Sequence, residues 1–215
     1  FETFAEAVYG KKIHVRVPTK NQNLQMGHAA AYNDGTTIYI IPPLSLADEK
    51  VHDRQWCGVN SEKGIAYCPA CGQFEDIFSS VCHELAHFTG GSSFNDRRDE
   101  ELRKQAYSMS ASWGQALLNV LEDIRIEELM FRAQVGTKIM RFGTLTSVVR
   151  SIEKPDFPLN SWAILALIAQ ATDYHFIDYP PVVRAFAEDP VVEGLIEKAK
   201  NAPDPFGIVT LLPAL

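Results

Sequence analysis

The stretch SSVCHELAHFTG, residues 79–90, places two histidines four positions apart with a glutamate directly after the first. Residues four apart share one face of a helix, so His83 and His87 would direct their imidazoles at one point. Glu84 would then reach a water held there and act as a general base. The pattern predicts a zinc site, because zinc lowers the pKa of such a water to about 7. The alternative is a buried helix whose two histidines are hydrogen-bonded.

The residues around this motif favour a helix buried in a protein core. The apolar positions are Ile77, Phe78, Val81, Leu85 and Phe88. A helix over about 75–89 is predicted to end at the glycine pair Gly90-Gly91, because glycine readily terminates helices. Cys82 is interpreted as a small buried hydrophobic residue.

The rest of the chain predicts an α+β fold with a small mixed sheet and a helical C-terminal portion. The predicted elements are a short helix over 1–10, a strand over 11–17, a hairpin over 28–44, a cysteine-rich loop over 52–72, and helices over 99–135, 161–172 and 180–200. The hairpin rests on the turn signal Asn33-Asp34-Gly35, and Pro42 and Pro43 are expected to end its second strand.

Composition narrows the function classes. The chain has 215 residues, of which 46% are hydrophobic and 22% charged, as is typical of a soluble globular protein. The net charge of −7 argues against a nucleic-acid-binding face, which requires clustered lysine and arginine. The longest apolar run, WAILALIA, is far shorter than the roughly 20 residues of a membrane span. We therefore expect a cytoplasmic protein. The chain begins at Phe1 rather than Met, so a processed product that has lost an export signal stays an alternative.

The segment HELAHFTG resembles the active-site helix of the zincin metallopeptidases, and the strands before it fit the zincin plan. The resemblance is firm over about 75–130, looser over 11–45 and absent beyond 150. It implies a zincin-like domain over 1–150, with the helical extension 151–215 packed on it. It also implies zinc-dependent hydrolysis of a peptide or protein substrate, with Glu84 as the general base. The strand TTIYII, residues 36–41, would be the edge strand that binds substrate.

A catalytic zinc also needs a third protein ligand and an open position. In the metzincin subclass this ligand is a histidine, or an aspartate, six residues after the second motif histidine. Gly90 fits the metzincin pattern, but Ser93 stands at the ligand position. The resemblance to the gluzincin subclass instead implies an acid on a later helix. The candidates are Glu122, Asp123 and Glu127, which lie among apolar residues where an acid is costly unless paired or metal-bound.

We expect Glu122 to be the third ligand, because its longer side chain suits a ligand from a neighbouring helix. Asp123 would then orient a histidine through the second ring nitrogen, although the two roles can be reversed. Asn119 could support either acid from one turn before. The alternative is an exposed acidic strip with Arg125 as its partner. The segment LEDIRIEE also resembles proteins associated with von Willebrand A domains and cobaltochelatase CobT-type subunits, a group that includes phage and bacterial proteins classed as metallopeptidases.

A second set of metal-ligating residues lies in the cysteine-rich segment 52–72. Cys68 and Cys71 form a C-x-x-C knuckle of the kind found in zinc ribbons, with a proline and a glycine that suit a tight turn. Cys57 and His52 would complete a closed, structural zinc site. One alternative is a disulfide of Cys57 with Cys68 or Cys71 in an exported protein. The other is three reduced surface cysteines.

The remaining histidines carry weaker signals. His14 and His28 lie in strand-like runs, and His175 lies among aromatic residues, so all three are interpreted as structural. Tyr107 could stabilise an oxyanion, as tyrosine does in many zincins, but no local pattern distinguishes it.

Two other functions remain open at this point. The first is a non-catalytic, zinc-stabilised interaction module that works with a von Willebrand A domain or an ATPase. The second is a metallopeptidase of the SprT-like or antirestriction type that acts near DNA, which the negative charge disfavours. An open zinc position would favour the enzyme, and a fully protein-ligated zinc would favour the module.

Overall fold

A computed structural model describes residues 1–19, 21–22, 31–40, 69–92, 104, 114–133, 159–172 and 179–211. Over these residues the chain is mostly helical, with seven helices and one three-stranded mixed sheet, which confirms the α+β class. The described residues form two compact units, the first of residues up to Leu85 and the second of residues from Ala86 on. The predicted division into 1–150 and 151–215 stays a prediction.

The first unit begins with helix α1 (Glu2–Tyr9), which ends at Gly10 in the left-handed conformation, as the sequence predicts. Two aromatic residues at the start of the chain pack against one ring of a later helix. The rings of Phe1 and Phe4 lie with their centroids 6.0 and 5.1 Å from that of Phe78. These ring contacts tie the N-terminus to the helix that carries the histidine motif.

The sheet consists of β1 (His14–Arg16), β2 (Ala31–Asn33) and β3 (Thr37–Ile40), in the order β1-β3-β2. Strands β2 and β3 are antiparallel and form the predicted hairpin, whereas β1 runs parallel to β3. Strand β3 is therefore central in the described sheet, and the prediction that TTIYII forms an edge strand is wrong. The reason is that β1 pairs with β3 across a long connection.

The hairpin turn is held by the side chain of Asp34. Its Oδ1 accepts hydrogen bonds from the backbone N–H groups of Thr36 and Thr37, at 3.0 and 2.8 Å, and its Oδ2 accepts one from the Tyr39 hydroxyl at 3.1 Å. Desolvation opposes ionisation of Asp34, but these hydrogen bonds outweigh it and lower the pKa of the carboxyl. The turn thus fixes the position of Asn33, the last residue of β2.

Helix α2 (Pro69–Thr89) carries the histidine motif. It begins at a proline, whose fixed φ and missing N–H suit a helix start, so the predicted loop is wrong for residues 69–72. The predicted end is confirmed. Gly91 is left-handed, with φ 73°, and the Ser92 N–H donates to the His87 carbonyl at 3.0 Å, the pattern of a Schellman motif.

The second unit contains α3 (Gly114–Arg132), α4 (Leu159–Ala171), α5 (Pro181–Ala187), α6 (Pro190–Lys200) and α7 (Pro205–Val209). Apolar residues of α3, α4, α6 and α7 form a core that includes Leu121, Ile124, Leu167, Leu195, Ile196 and Ile208. Val183 and Ala187 of α5 pack with Ala166 of α4 in a second cluster. The sequence predicts one helix over 180–200, but the structure has two. Asp189 accepts a hydrogen bond from Val191 N–H at 2.8 Å and caps a helix that starts at Pro190.

The helix predicted over 99–135 is confirmed over Gly114–Arg132, and most of its other residues lie outside the described ranges. Helix α7 has no counterpart in the sequence prediction. None of the described helices combines the length and hydropathy that a membrane crossing requires.

Candidate metal centre

Two histidines of α2 and one acid of α3 form a group that can hold a metal ion. His83, His87 and Asp123 each offer one ligand atom, and these atoms lie within 4.8 Å of one another. His87 and Asp123 belong to the second unit, and His83 lies one turn before His87 on the same helix. The predicted pairing of the two histidines on one helix face is thus present in the structure.

The spacing and burial of this group suit zinc. His87 Nε2 lies 3.5 Å from Asp123 Oδ1, and their side chains are 7% and 20% exposed. Two ligands about 2.0–2.2 Å from a tetrahedral zinc are about 3.3–3.6 Å apart, so these two atoms already have the required separation. Two imidazoles with one carboxylate are also a donor set that zinc prefers.

Glu122, the acid preferred from the sequence, has a different partner. Its carboxylate accepts hydrogen bonds from Arg125 Nε at 2.8 Å and from Arg125 Nη2 at 2.6 Å. Both side chains are buried, so the alternative of an exposed acidic strip is wrong, although it named the right partner. The arrangement favours Asp123 over Glu122 as the third ligand, because Arg125 engages both oxygens of Glu122.

Arg125 also connects α3 to the end of α2. Its Nη2 donates to the Gly90 carbonyl at 2.7 Å, at a helix terminus where carbonyl groups lack helical partners. A Cβ atom on Gly90 would lie 2.6 Å from Ile126 Cγ2, so only glycine allows this close approach. The sequence indicated Gly90 as a helix stop and did not reveal its contact with α3. Arg125 and Gly90 together hold the helix that bears His87 against the helix that bears Asp123.

We expect Arg125→Met to lower the free energy of unfolding by about 3–5 kcal/mol, because it leaves the buried Glu122 carboxylate without its cation. Arg132→Met is a matched control. Arg132 is exposed and pairs with Glu128 at 3.0 Å, and such a pair contributes about 0–1 kcal/mol. Urea unfolding of both variants measures the difference. Equal losses in the two variants would mean that leaving the buried Glu122 carboxylate without Arg125 carries no extra cost.

Glu84 is 7% exposed and accepts a hydrogen bond from Asn33 Nδ2 at 2.6 Å. Burial raises the pKa of the Glu84 carboxyl, and the nearby His83 and the Asn33 hydrogen bond oppose this shift. Sequence analysis did not predict the contact between Asn33 and Glu84, because Asn33 was interpreted only as part of the hairpin turn. The signal that could have revealed it is a hairpin that presents a polar residue at a strand end.

Other predicted residues lie apart from this group or outside the described ranges. Cys82 is fully buried, and burial raises the pKa of its thiol to about 12, which confirms its interpretation as a small hydrophobic residue. His14 lies in β1, with Nδ1 3.5 Å from Glu2 Oε1, and among the described residues it is outside the His83-His87-Asp123 group. Asn119 is exposed, and Glu127 is buried on α3. Outside the described residues lie His28, His52, Cys57, Cys68, Tyr107, His175 and the side chain of Cys71. The structural zinc site therefore stays a prediction.

Comparison of the chain with protein-family models, with curated proteins and with solved structures finds no match. Functional assignment therefore depends on the geometry and chemistry of the site.

Proposed function

We propose that this chain is a zinc-dependent metallopeptidase of the zincin type. The observation that carries the proposal is the convergence of His83, His87 and Asp123 on one point, directly beside the glutamate of the same motif. Three protein ligands with room for one more are typical of a catalytic zinc, whereas a structural zinc has four. The substrate would be a peptide or protein segment.

His83, His87 and Asp123 would hold the ion. A bound zinc supplies Lewis-acid chemistry, since it polarises a carbonyl oxygen and lowers the pKa of water. Glu84 directly follows His83 on α2. In the proposed reaction, its carboxylate takes the proton from the attacking water and returns it to the departing amine. This use of one carboxylate as base and then as acid is the chemistry that the H-E-x-x-H pattern indicates.

Asn33 would support this step by orienting the base. Its Nδ2 donates to Glu84 Oε2, and its Oδ1 accepts a hydrogen bond from the Gly35 N–H at 3.3 Å. The second contact fixes which end of the amide faces Glu84. With Oε2 engaged by Asn33, Oε1 would be the oxygen that takes the proton.

We expect the purified full chain to bind zinc and to hydrolyse fluorescein-labelled casein. Treatment with 1,10-phenanthroline should stop the hydrolysis, and added zinc should restore it, because the metal is required for the chemistry. Elemental analysis measures the bound zinc. One ion per chain is expected at the His83-His87-Asp123 group, and a second if the cysteine site forms. Zinc without hydrolysis of casein or of a peptide library would favour the non-catalytic module, and absence of zinc would contradict both functions.

A further inference from the structure

The turn that ends α2 folds back over the second histidine of the motif. Gly91 adopts a left-handed φ of 73°, which lets the Ser92 N–H donate to the His87 carbonyl at 3.0 Å. The same reversal brings Ser92 Oγ to 3.0 Å from His87 Nδ1 and to 3.3 Å from the His87 carbonyl oxygen. Both residues are buried.

These two contacts, taken together, favour a proton on Nδ1 of the His87 imidazole. The Ser92 hydroxyl has one proton, and a carbonyl oxygen can only accept. A hydroxyl that donates to the His87 carbonyl has no second proton for Nδ1, so its oxygen then accepts from an N–H at Nδ1. In a neutral imidazole a proton on Nδ1 leaves the lone pair on Nε2. That nitrogen is the one 3.5 Å from Asp123 Oδ1.

We propose that Ser92 is a positioning residue that holds His87 in the Nδ1–H tautomer and so prepares Nε2 to bind a metal. This proposal rests on the proposed function in one respect, which is that the metal is the zinc assigned to the His83-His87-Asp123 group. Metal-binding histidines nearly always donate their other ring N–H to a fixed acceptor, which sets the tautomer and the ring orientation. The buried Ser92 hydroxyl is that acceptor here, and the left-handed turn at Gly91 places it beside His87.

The tautomer can be measured directly in the metal-free protein. Long-range ¹H–¹⁵N correlation spectra, recorded with the imidazole neutral, distinguish a protonated from an unprotonated ring nitrogen. We expect a protonated Nδ1 for wild-type His87, and a mixture or the Nε2–H tautomer in Ser92→Ala. The His87→Gln spectrum assigns the resonances. An Nε2–H tautomer in the wild type would overturn the proposal, and this result needs no variant that changes Ser92.

Metal affinity gives a second test. We expect Ser92→Ala to weaken zinc binding about 10- to 100-fold, as does removal of the outer partner of a ligand histidine. Ser92→Thr keeps the hydroxyl and should restore most of the affinity. Thr89→Ala is the matched control, since the Thr89 hydroxyl donates to the Ala86 carbonyl at 3.2 Å, at the same helix end. Competition with a chromophoric chelator measures each affinity.

The outcomes separate this inference from the proposed function. A wild-type protein that binds zinc but hydrolyses no peptide contradicts the enzyme and leaves Ser92 in its positioning role. A wild-type protein with the Nδ1–H tautomer but no zinc affinity contradicts the metal centre, and with it the role given to Ser92. Zinc affinity equal in wild type, Ser92→Ala and Thr89→Ala would overturn the inference while the metallopeptidase stands.

Discussion

Replacing Glu84 with glutamine is expected to abolish peptide hydrolysis while zinc stays bound. The amide keeps the shape of the side chain and can still accept the hydrogen bond from Asn33, but it cannot take a proton. Loss of a positioned general base lowers kcat by about 10²- to 10⁴-fold. Casein hydrolysis and zinc content, measured on the same preparation, test both halves of this expectation.

Two further variants make the Glu84 experiment specific. Glu128→Gln is the matched control, because Glu128 is an acid of α3 that pairs with Arg132, and its loss should leave hydrolysis unchanged. Asn33→Asp keeps the oxygen that accepts from Gly35 but replaces the donor with a second carboxylate beside Glu84. It should lower kcat with little change in zinc content. If Glu84→Gln hydrolyses casein at the wild-type rate, the proposed mechanism is wrong.

Asp123→Ala is expected to remove zinc from the site, as are His83→Ala and His87→Ala, whereas Glu122→Gln should retain it. Asp123 supplies an oxygen 3.5 Å from His87 Nε2, and Glu122 is held by Arg125. Loss of a ligand should weaken zinc by more than the about 10- to 100-fold expected for an outer partner. Competition titration with a chromophoric chelator measures the affinity of each variant.

The glutamine at Glu122 is chosen over alanine because its side-chain oxygen can still accept from Arg125. The zinc affinity of the Glu122→Gln variant then tests whether Glu122 is a ligand, while its contact with Arg125 is disturbed as little as possible. The opposite pattern, with zinc lost in Glu122→Gln and retained in Asp123→Ala, would make Glu122 the ligand and restore the preference drawn from the sequence.

Local patterns predicted much of the secondary structure and the placement of His83 and His87 on one helix face. The Asn33-Asp34-Gly35 turn and the Gly90-Gly91 helix end are encoded in a few adjacent residues, since each depends on backbone conformations that few side chains favour. The convergence of His83 and His87 follows from helix geometry alone. These features need no knowledge of how distant segments pack.

The features that sequence analysis missed depend on contacts between distant segments. The central place of β3 follows from its pairing with β1, which no local pattern encodes. The preference for Asp123 over Glu122 rests on Arg125, whose guanidinium contacts both oxygens of Glu122 while also reaching Gly90. The contact of Asn33 with Glu84 joins residues 51 positions apart. Side-chain length, the basis of the preference for Glu122, takes no account of a cation such as Arg125 that pairs with the same carboxylate.

The lack of space for a side chain at Gly90 limits which substitutions a directed-evolution experiment can introduce at this site. A methyl group there would meet Ile126 at 2.6 Å and the Ala86 carbonyl at 2.9 Å, so even alanine would force the two helices apart. A library that randomises the residues after His87 therefore needs glycine held fixed at position 90. A smaller side chain at position 126 would relieve the contact with Ile126 but leave the one with the Ala86 carbonyl, so it would not by itself open position 90 to variation.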